Sequence, residues 1–177
     1  MATATRLAIL ETALDLFVRQ GYEKTPLSEV SDRLGVTKAA LYYHFKSKES
    51  ILVELVSPYL EEMDDLINKT SNGHSPASSD ELLGAYLDLL LKHREIARLL
   101  DRDISALSHP DVEKRVNGQS RRLRRLLAGA QGGRPATVRA EAALGALRRP
   151  ALQLGGVVSR DVRKLLVRAA SAAANSK

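Results

Sequence analysis

Residues 25–49 read TPLSEVSDRLGVTKAALYYHFKSKE. They form two short helical patterns joined by a tight turn, followed by aromatic, hydroxyl and cationic side chains. Thr25-Pro26 opens the first pattern, since a Thr hydroxyl can cap free helix amides and Pro suits the first helical position. Leu27, Val30 and Leu34 supply its apolar stripe. Gly35 ends it, because a tight turn favours a residue that tolerates positive φ. Val36 plugs the turn, and Thr37 is the predicted N-cap of a second helix from about Lys38 to Phe45. A helix of under two turns is not stable alone. Leu41 and Phe45 therefore have to lock it against Leu34 and Phe17, which leaves Lys38, Ala39, Tyr42, Tyr43 and His44 facing outward.

That layout is the one a helix-turn-helix uses when its second helix enters the major groove of DNA. The alternative is a helical hairpin whose polar face meets only water. The adjacent Tyr42, Tyr43 and His44 argue against it, because two neighbouring tyrosines cannot share one buried face. Thr37, Tyr42, His44 and Lys48 carry the groups that hold phosphates, and Lys38 and Tyr43 are placed to reach base edges. Ala39 and Ala40 add no hydrogen bond, but Ala can touch a thymine methyl or allow close backbone approach. Direct reading of bases is thus expected to be sparse. Much of the specificity would come from DNA shape and from pairing two half-sites.

Upstream, an amphipathic helix is predicted over about residues 4–20, with Leu10, Ala13, Leu14 and Phe17 on one stripe and Gly21 after its end. Arg6, Glu11 and Asp15 interrupt its apolar residues, so it reads as a helix and not as a signal peptide. Downstream, a fourth helix is expected from about Lys48 to Asn68. Further helices follow at about 80–92, 95–104, 108–128, 136–152 and 159–174. Breaks are expected across the loop between Thr70 and Ser79, at Gln131 to Pro135, and at Gly155-Gly156; Pro150 is expected to end or kink its helix. No strand alternation appears. The chain reads as all-α with about nine helices, divided into a DNA-binding segment at 1–47 and a larger body at 48–177.

Net charge is +6, which by itself invites a nucleic-acid partner. Its distribution makes that weaker: residues 1–50 carry +1, 51–100 carry −5, 101–150 carry +6 and 151–177 carry +4. The local count is more telling, because residues 33–48 hold Arg33, Lys38, Lys46 and Lys48 and no acid. The chain has no cysteine, which excludes disulfides, thiolate metal sites and Cys nucleophiles and fits a cytoplasmic protein. No apolar run approaches the roughly 18 residues of a membrane span. Four histidines, with no HExxH, GxSxG, Walker A or dinucleotide glycine pattern, give no enzyme constellation, cofactor site or metal site. Glu61-Glu62 and Asp64-Asp65 read as a solvated helix face, with a metal site as the minor alternative.

The run Gly21-Tyr22, Thr25, Leu34-Gly35-Val36-Thr37-Lys38 and Leu41-Tyr42-Tyr43-His44-Phe45-Lys46-Ser47-Lys48-Glu49 resembles the signature of TetR-family transcriptional regulators. The resemblance covers about residues 6–55. It implies an all-α dimer with an N-terminal DNA unit and a divergent ligand-binding body. It places DNA contacts at Thr37, Lys38, Tyr42, Tyr43, His44 and Lys48, with Thr25, Arg33 and Ala39 beside them. Ala39 departs from the glycine often found at its position.

The body resembles the family in architecture alone. The last two helices are expected to pair with a second copy. Ala140, Ala143, Leu144, Leu147 and Leu154 would contribute from one, and Val162, Leu165, Leu166, Ala169 and Ala173 from the other; an intramolecular core is the alternative. A ligand cavity would draw on Tyr59, Met63, Leu83, Tyr86, Leu90, His93 and Ile96, residues that equally suit ordinary core. Arg121, Arg122, Arg124 and Arg125 are expected to pair with the acidic 51–100 segment, or else to meet an anionic effector. The expected whole is a homodimeric repressor of double-stranded DNA, released from a palindromic operator by a small-molecule effector. A nucleoid-type binder with no ligand is the rival reading.

Overall fold

In a computed structural model, residues 2–71, 78–129, 132–154 and 158–176 are described. Every regular element among them is a helix: α1 (Ala2–Gln20), α2 (Leu27–Leu34), α3 (Lys38–His44), α4 (Lys48–Ser71), α5 (Ser79–Lys92), α6 (Arg94–Arg102), α7 (Ile104–Leu107), α8 (Pro110–Ala128), α9 (Arg134–Gln153) and α10 (Arg160–Ala174). Ten helices replace the nine expected, and the added one is α7. A single turn has no periodicity to detect in sequence. It forms because the Asp103 side chain accepts the Ala106 amide at its N-terminus. The expected breaks at residues 72–77, at Gln131 and at Gly155-Gly156 lie outside the described residues.

The helix ends follow local chemistry. Thr37 Oγ1 accepts the Ala40 amide as expected of an N-cap. Ser78 and Glu81 form a reciprocal capping box, and Ser159 caps the Val162 amide. Gly35 sits at φ 66° and closes α2, with the Val36 amide returning to the Ser31 carbonyl. Thr25 differs from expectation. Pro26 takes the N-cap position of α2 without a side-chain cap. The Thr25 hydroxyl instead turns back and donates to the Gly21 carbonyl at 2.8 Å. Pro150 does not end its helix either: α9 continues three residues beyond it, to Gln153. A proline near a helix C-terminus forfeits only one amide bond, which the remaining turn tolerates.

The chain folds into two compact units that interleave in sequence. One comprises residues 1–58 and 95–114, the other residues 59–94 and 115–177. This division differs from a single cut near residue 47, because α6, α7 and the start of α8 share a unit with the first three helices. In the first unit, Phe17, Val30, Leu41 and Phe45 are each at most 2% exposed. The core face of α1 is Ile9, Ala13, Leu16 and Phe17, while Leu10 and Leu14 lie half-buried at its edge.

In the second unit, α9 and α10 pack on each other and both pack on α5. Arg163 fastens α10 to α5 with a two-pronged pair to Asp88, each contact 2.6 Å. The expected pairing of the arginine run with acidic residues is present in part. Arg122 and its neighbour Arg115 reach Asp64, and Arg124 reaches Glu141. Arg121 and Arg125 stay exposed.

Candidate nucleic-acid interface

The α2–turn–α3 segment is built so that one side is fixed and the other offered. On the fixed side, Leu41 and Phe45 are 1% and 2% exposed. Burying two such side chains contributes about 2–3 kcal/mol each, support that a helix of under two turns needs because it is not stable alone. Arg6 adds a second restraint that sequence reasoning did not assign. Its guanidinium donates to the His44 carbonyl at 2.7 Å and lies 4.2 Å from the centre of the Phe45 ring. It also forms a two-pronged pair with Glu54 of α4. Arg6 therefore satisfies a free carbonyl at the C-terminal end of α3 and ties α1, α3 and α4 together. Its spacing from His44, 38 residues in sequence, leaves no local signal.

On the offered side, Tyr43 is 77% exposed and Tyr42 48%. Thr37, Lys38 and Ala39 are also exposed, and His44 is half-buried with its ring edge-on to Tyr43 at 5.2 Å. An exposed tyrosine pair on so short a helix is unusual for a surface that meets only water, because aromatic area left in solvent is unfavourable. The alternation is thus sharp: Leu41 and Phe45 in, Tyr42 and Tyr43 out.

Three of the expected contact residues stand differently. Thr25 is 0% exposed, and its hydroxyl is held by Gly21 and Gln20, so its side chain is not free for phosphate. Arg33 is exposed but pairs with Asp15 at 2.9 Å. The Lys48 ammonium donates to the Tyr22 carbonyl at 3.0 Å and the Glu23 carbonyl at 3.2 Å, and stands 4.6 Å from the Tyr22 ring centre. An ammonium has three hydrogens, so one remains for a further partner. Lys48 is first a clamp on the α1–α2 loop.

That loop is gripped from several sides. Gly21 adopts φ 98°, a conformation that L side chains rarely adopt. The Tyr22 amide donates to Asp103 Oδ2 at 2.5 Å, and the Tyr22 ring stands edge-on to Phe17 at 5.1 Å. Burial, reinforced by the negative charges of Glu49, Glu23 and Asp103, pushes the Tyr22 phenol up to about 12. Burial also acts to raise the Asp103 carboxyl. Hydrogen bonds from Ser105 and from the amides of Tyr22, Ala106 and Ser105 outweigh it and hold Asp103 below the ordinary aspartate range.

The expected effector residues are largely core of the second unit. Tyr59, Met63, Leu83, Tyr86 and Leu90 are all at most 8% exposed. His93 caps the C-terminus of α5, its Nε2 3.1 Å from Glu62 Oε1 and its ring 5.8 Å from Tyr59. Ile96 is buried in the other compact unit. The groove between α4 and α5 is lined instead by charged residues, including Glu62, Asp65, Lys69, Asp88 and Lys92. The expected dimer residues also divide. Ala140, Ala143, Leu147 and Leu166 are buried in the chain's own core. Val162, Leu144 and Ala173 are half-buried, and Leu154, Leu165 and Ala169 are exposed. The outward faces further hold Val138, Ala142 and Gly145 on α9 and Ala172 on α10. No group of acidic or histidine side chains that could hold a metal ion occurs among the described residues. No helix among them is long and apolar enough to cross a membrane.

A helix-turn-helix with its second helix locked from behind and aromatic, cationic and hydroxyl groups in front has the layout that enters a DNA groove. Residues 9–55 match the model of bacterial regulatory proteins of the tetR family. Among curated relatives, the chain is similar to the HTH-type transcriptional regulator AcrR of Shigella flexneri, 44% identical over 54 residues, covering 30% of this chain and 25% of that one. It is also similar to IcaR of Staphylococcus aureus (strain Newman), a negative transcriptional regulator of the biofilm operon icaADBC. That match is 34% identical over 64 residues, covering 36% of this chain and 34% of that one. The chain thus spans between a quarter and about a third of the length of these relatives. Among solved structures, a TetR-family transcriptional regulator from Bordetella parapertussis 12822 shares the fold, with TM-score 0.75 and 18% identity, covering 97% of this chain and 94% of that one. Residues 9–55 thus carry a DNA-binding segment similar to that of the tetR family, and the chain as a whole shares the fold of TetR-family regulators of known structure.

Proposed function

We propose that this regulator is a homodimeric repressor that binds a palindromic operator and is released from it by a small molecule bound in the helical body. The observation that carries the DNA-binding part is the outward face of α3. Lys38, Ala39, Tyr42 and Tyr43 are exposed on a helix whose opposite side is locked by Leu41 and Phe45. Lys38 and Tyr43 reach base edges, while Thr37, Tyr42, His44 and the remaining Lys48 hydrogen hold phosphates. Thr37 accepts the Ala40 amide, and its own hydroxyl hydrogen is left to donate. The role of the IcaR relative as a negative regulator supports repression over activation.

Dimerisation is supported by the outward faces of α9 and α10. Val138 and Leu165 are 62% and 64% exposed, flanked by Ala142, Gly145, Ala169 and Ala172. Small residues let helices approach closely, and the exposed apolar side chains then lose water. Two half-sites also supply affinity that a single short helix lacks. The ligand acts by binding one dimer state more tightly than the other. The protein acts in the cytoplasm, by binding rather than catalysis.

Selection of bound DNA from a random pool tests the reading. A palindromic consensus is expected; sequences without a shared motif, bound with a steep salt dependence, would point to a nucleoid-type binder instead. Sedimentation of the full chain should give about twice the 19.3 kDa protomer mass, and a monomer at micromolar concentration removes the dimer.

A further inference from the structure

We infer that Asp103, at the corner between α6 and α7, is a positioning residue for DNA binding: its side chain holds the loop that feeds α2, and through α2 it sets how α3 is presented. The inference rests on the reading of α3 as the DNA-contacting helix. Asp103 lies outside the helix-turn-helix segment, 81 residues from the loop residue it grips, yet in the same compact unit.

The two carboxylate oxygens do different jobs. Oδ1 caps α7, accepting the Ala106 amide at 3.1 Å and the Ser105 hydroxyl at 2.5 Å. Capping a helix needs only that one oxygen. Oδ2 is left over for α7, and it accepts the Tyr22 amide at 2.5 Å. Charged acceptors make short, strong hydrogen bonds, so this contact is well suited to fix a loop. The loop is also shaped for the approach. Gly21 brings no side chain, and a Cβ built on it would stand 3.4 Å from Oδ2.

The other end of the same residue's backbone is held from α4. While Asp103 takes the Tyr22 amide hydrogen, the Lys48 ammonium donates to the Tyr22 carbonyl. Residue 22 is therefore gripped at both ends of its backbone, by an anion from α6–α7 and by a cation from α4. Three residues on, Thr25 closes the same turn, its amide donating to the Tyr22 carbonyl at 3.2 Å and its hydroxyl to the Gly21 carbonyl. Pro26 then stands at the N-cap of α2. A shift of the α6–α7 corner is passed by the Asp103 hydrogen bond to the Tyr22 amide. Moreover one residue, His93, separates α5 from α6, so α6 follows directly on the body in sequence.

Two substitutions separate the grip from the cap. Asp103→Ser keeps a good N-cap for α7 but is too short to reach Tyr22. Asp103→Asn keeps the shape and one carbonyl oxygen, but its amide nitrogen would face the Tyr22 N–H, donor against donor. Both are measured as full-length chains by melting temperature, by hydrogen exchange at individual amides, and by affinity for the duplex recovered in selection. Mixed-sequence duplex DNA replaces it if selection returns no motif, so that failure of the operator reading and failure of this inference are distinguishable. Faster exchange confined to Tyr22 and its loop is expected, with DNA affinity reduced about tenfold and the salt slope unchanged, since no phosphate contact is lost. Affinity within about twofold of the parent in both variants overturns the inference. So does unchanged exchange at Tyr22, or exchange that accelerates throughout α1, α2 and α3, which marks Asp103 as structural only.

Discussion

The outward face of α3 and the outward face of α10 are both exposed, but they are made of opposite materials. On α3, Tyr42 and Tyr43 stand out beside Lys38 and Thr37, every one with a polar atom to offer. On α10, Leu165, Ala169 and Ala172 stand out with no polar group on their side chains. The supports differ in the same way. α3 is short and is held by Leu41 and Phe45 and by the reach of Arg6 to the His44 carbonyl. α10 is 15 residues long and is held by broad packing on α9 and α5. A polar face on a rigid support suits a charged, geometrically defined partner such as DNA, whereas an apolar face on a packed pair of long helices suits another apolar helix face.

The sharpest way to break this contrast is to remove the support of α3. Phe45→Ala should cost about 3–5 kcal/mol of stability, read by denaturant unfolding, and should abolish DNA binding with it. Leu165→Glu places a charge on the apolar face of α10. It should convert the dimer to monomer in sedimentation while leaving the melting of the protomer's own helices nearly unchanged; an intact dimer would show that α10 is not the interface. Tyr43→Ala should reduce affinity about tenfold or more with no loss of stability, because the side chain touches little but His44.

Lys48→Ala sharpens the difference between clamp and contact. If Lys48 also holds a phosphate, the salt slope of binding falls by about one; if it serves only the Tyr22 and Glu23 carbonyls, affinity falls and the slope stays. The smallest effect is that of acid. Asp103 is held below the ordinary aspartate range in the folded chain. Its charged form therefore favours folding above the unfolded value, near 3.9, and that contribution fades as pH falls through the lower folded value. Protection of the Tyr22 amide should persist through the ordinary aspartate range and be lost only as pH falls through the lower folded value in the parent chain, with no such step in Asp103→Ser.

Much of the DNA-binding segment was legible because its signals are local. Thr37 caps the helix it precedes, Gly35 closes the helix it follows, and Leu41 and Phe45 declare an inner face by spacing alone. What was missed there depends on distant partners. Thr25 looked like a cap, but Gly21 and Gln20 occupy its hydroxyl. Lys48 looked free for phosphate, but the Tyr22 and Glu23 carbonyls already take two of its hydrogens. Arg6 and Asp103 carried no signal, since a single charged residue in a helical pattern reads the same whether it faces water or a buried carbonyl. In the body, Ala140, Ala143 and Leu147 share a helical face with one another, and periodicity could not say whether that face met the chain's own α5 and α10 or a second copy.

The sequence alone determined that the chain is helical, where most helices begin and end, and that residues 25–49 form a helix-turn-helix with its tyrosines outward. Those features follow from spacing and capping within a few residues, which is the range over which sequence speaks directly. Only the tertiary structure decided that α6 and α7 join the DNA-binding unit, which apolar face of α9 is already filled, and that Arg6, Lys48 and Asp103 hold the recognition elements in place. Those depend on which long-range partner meets each charge, and a hydrogen bond across 81 residues leaves no periodic trace in the chain that makes it.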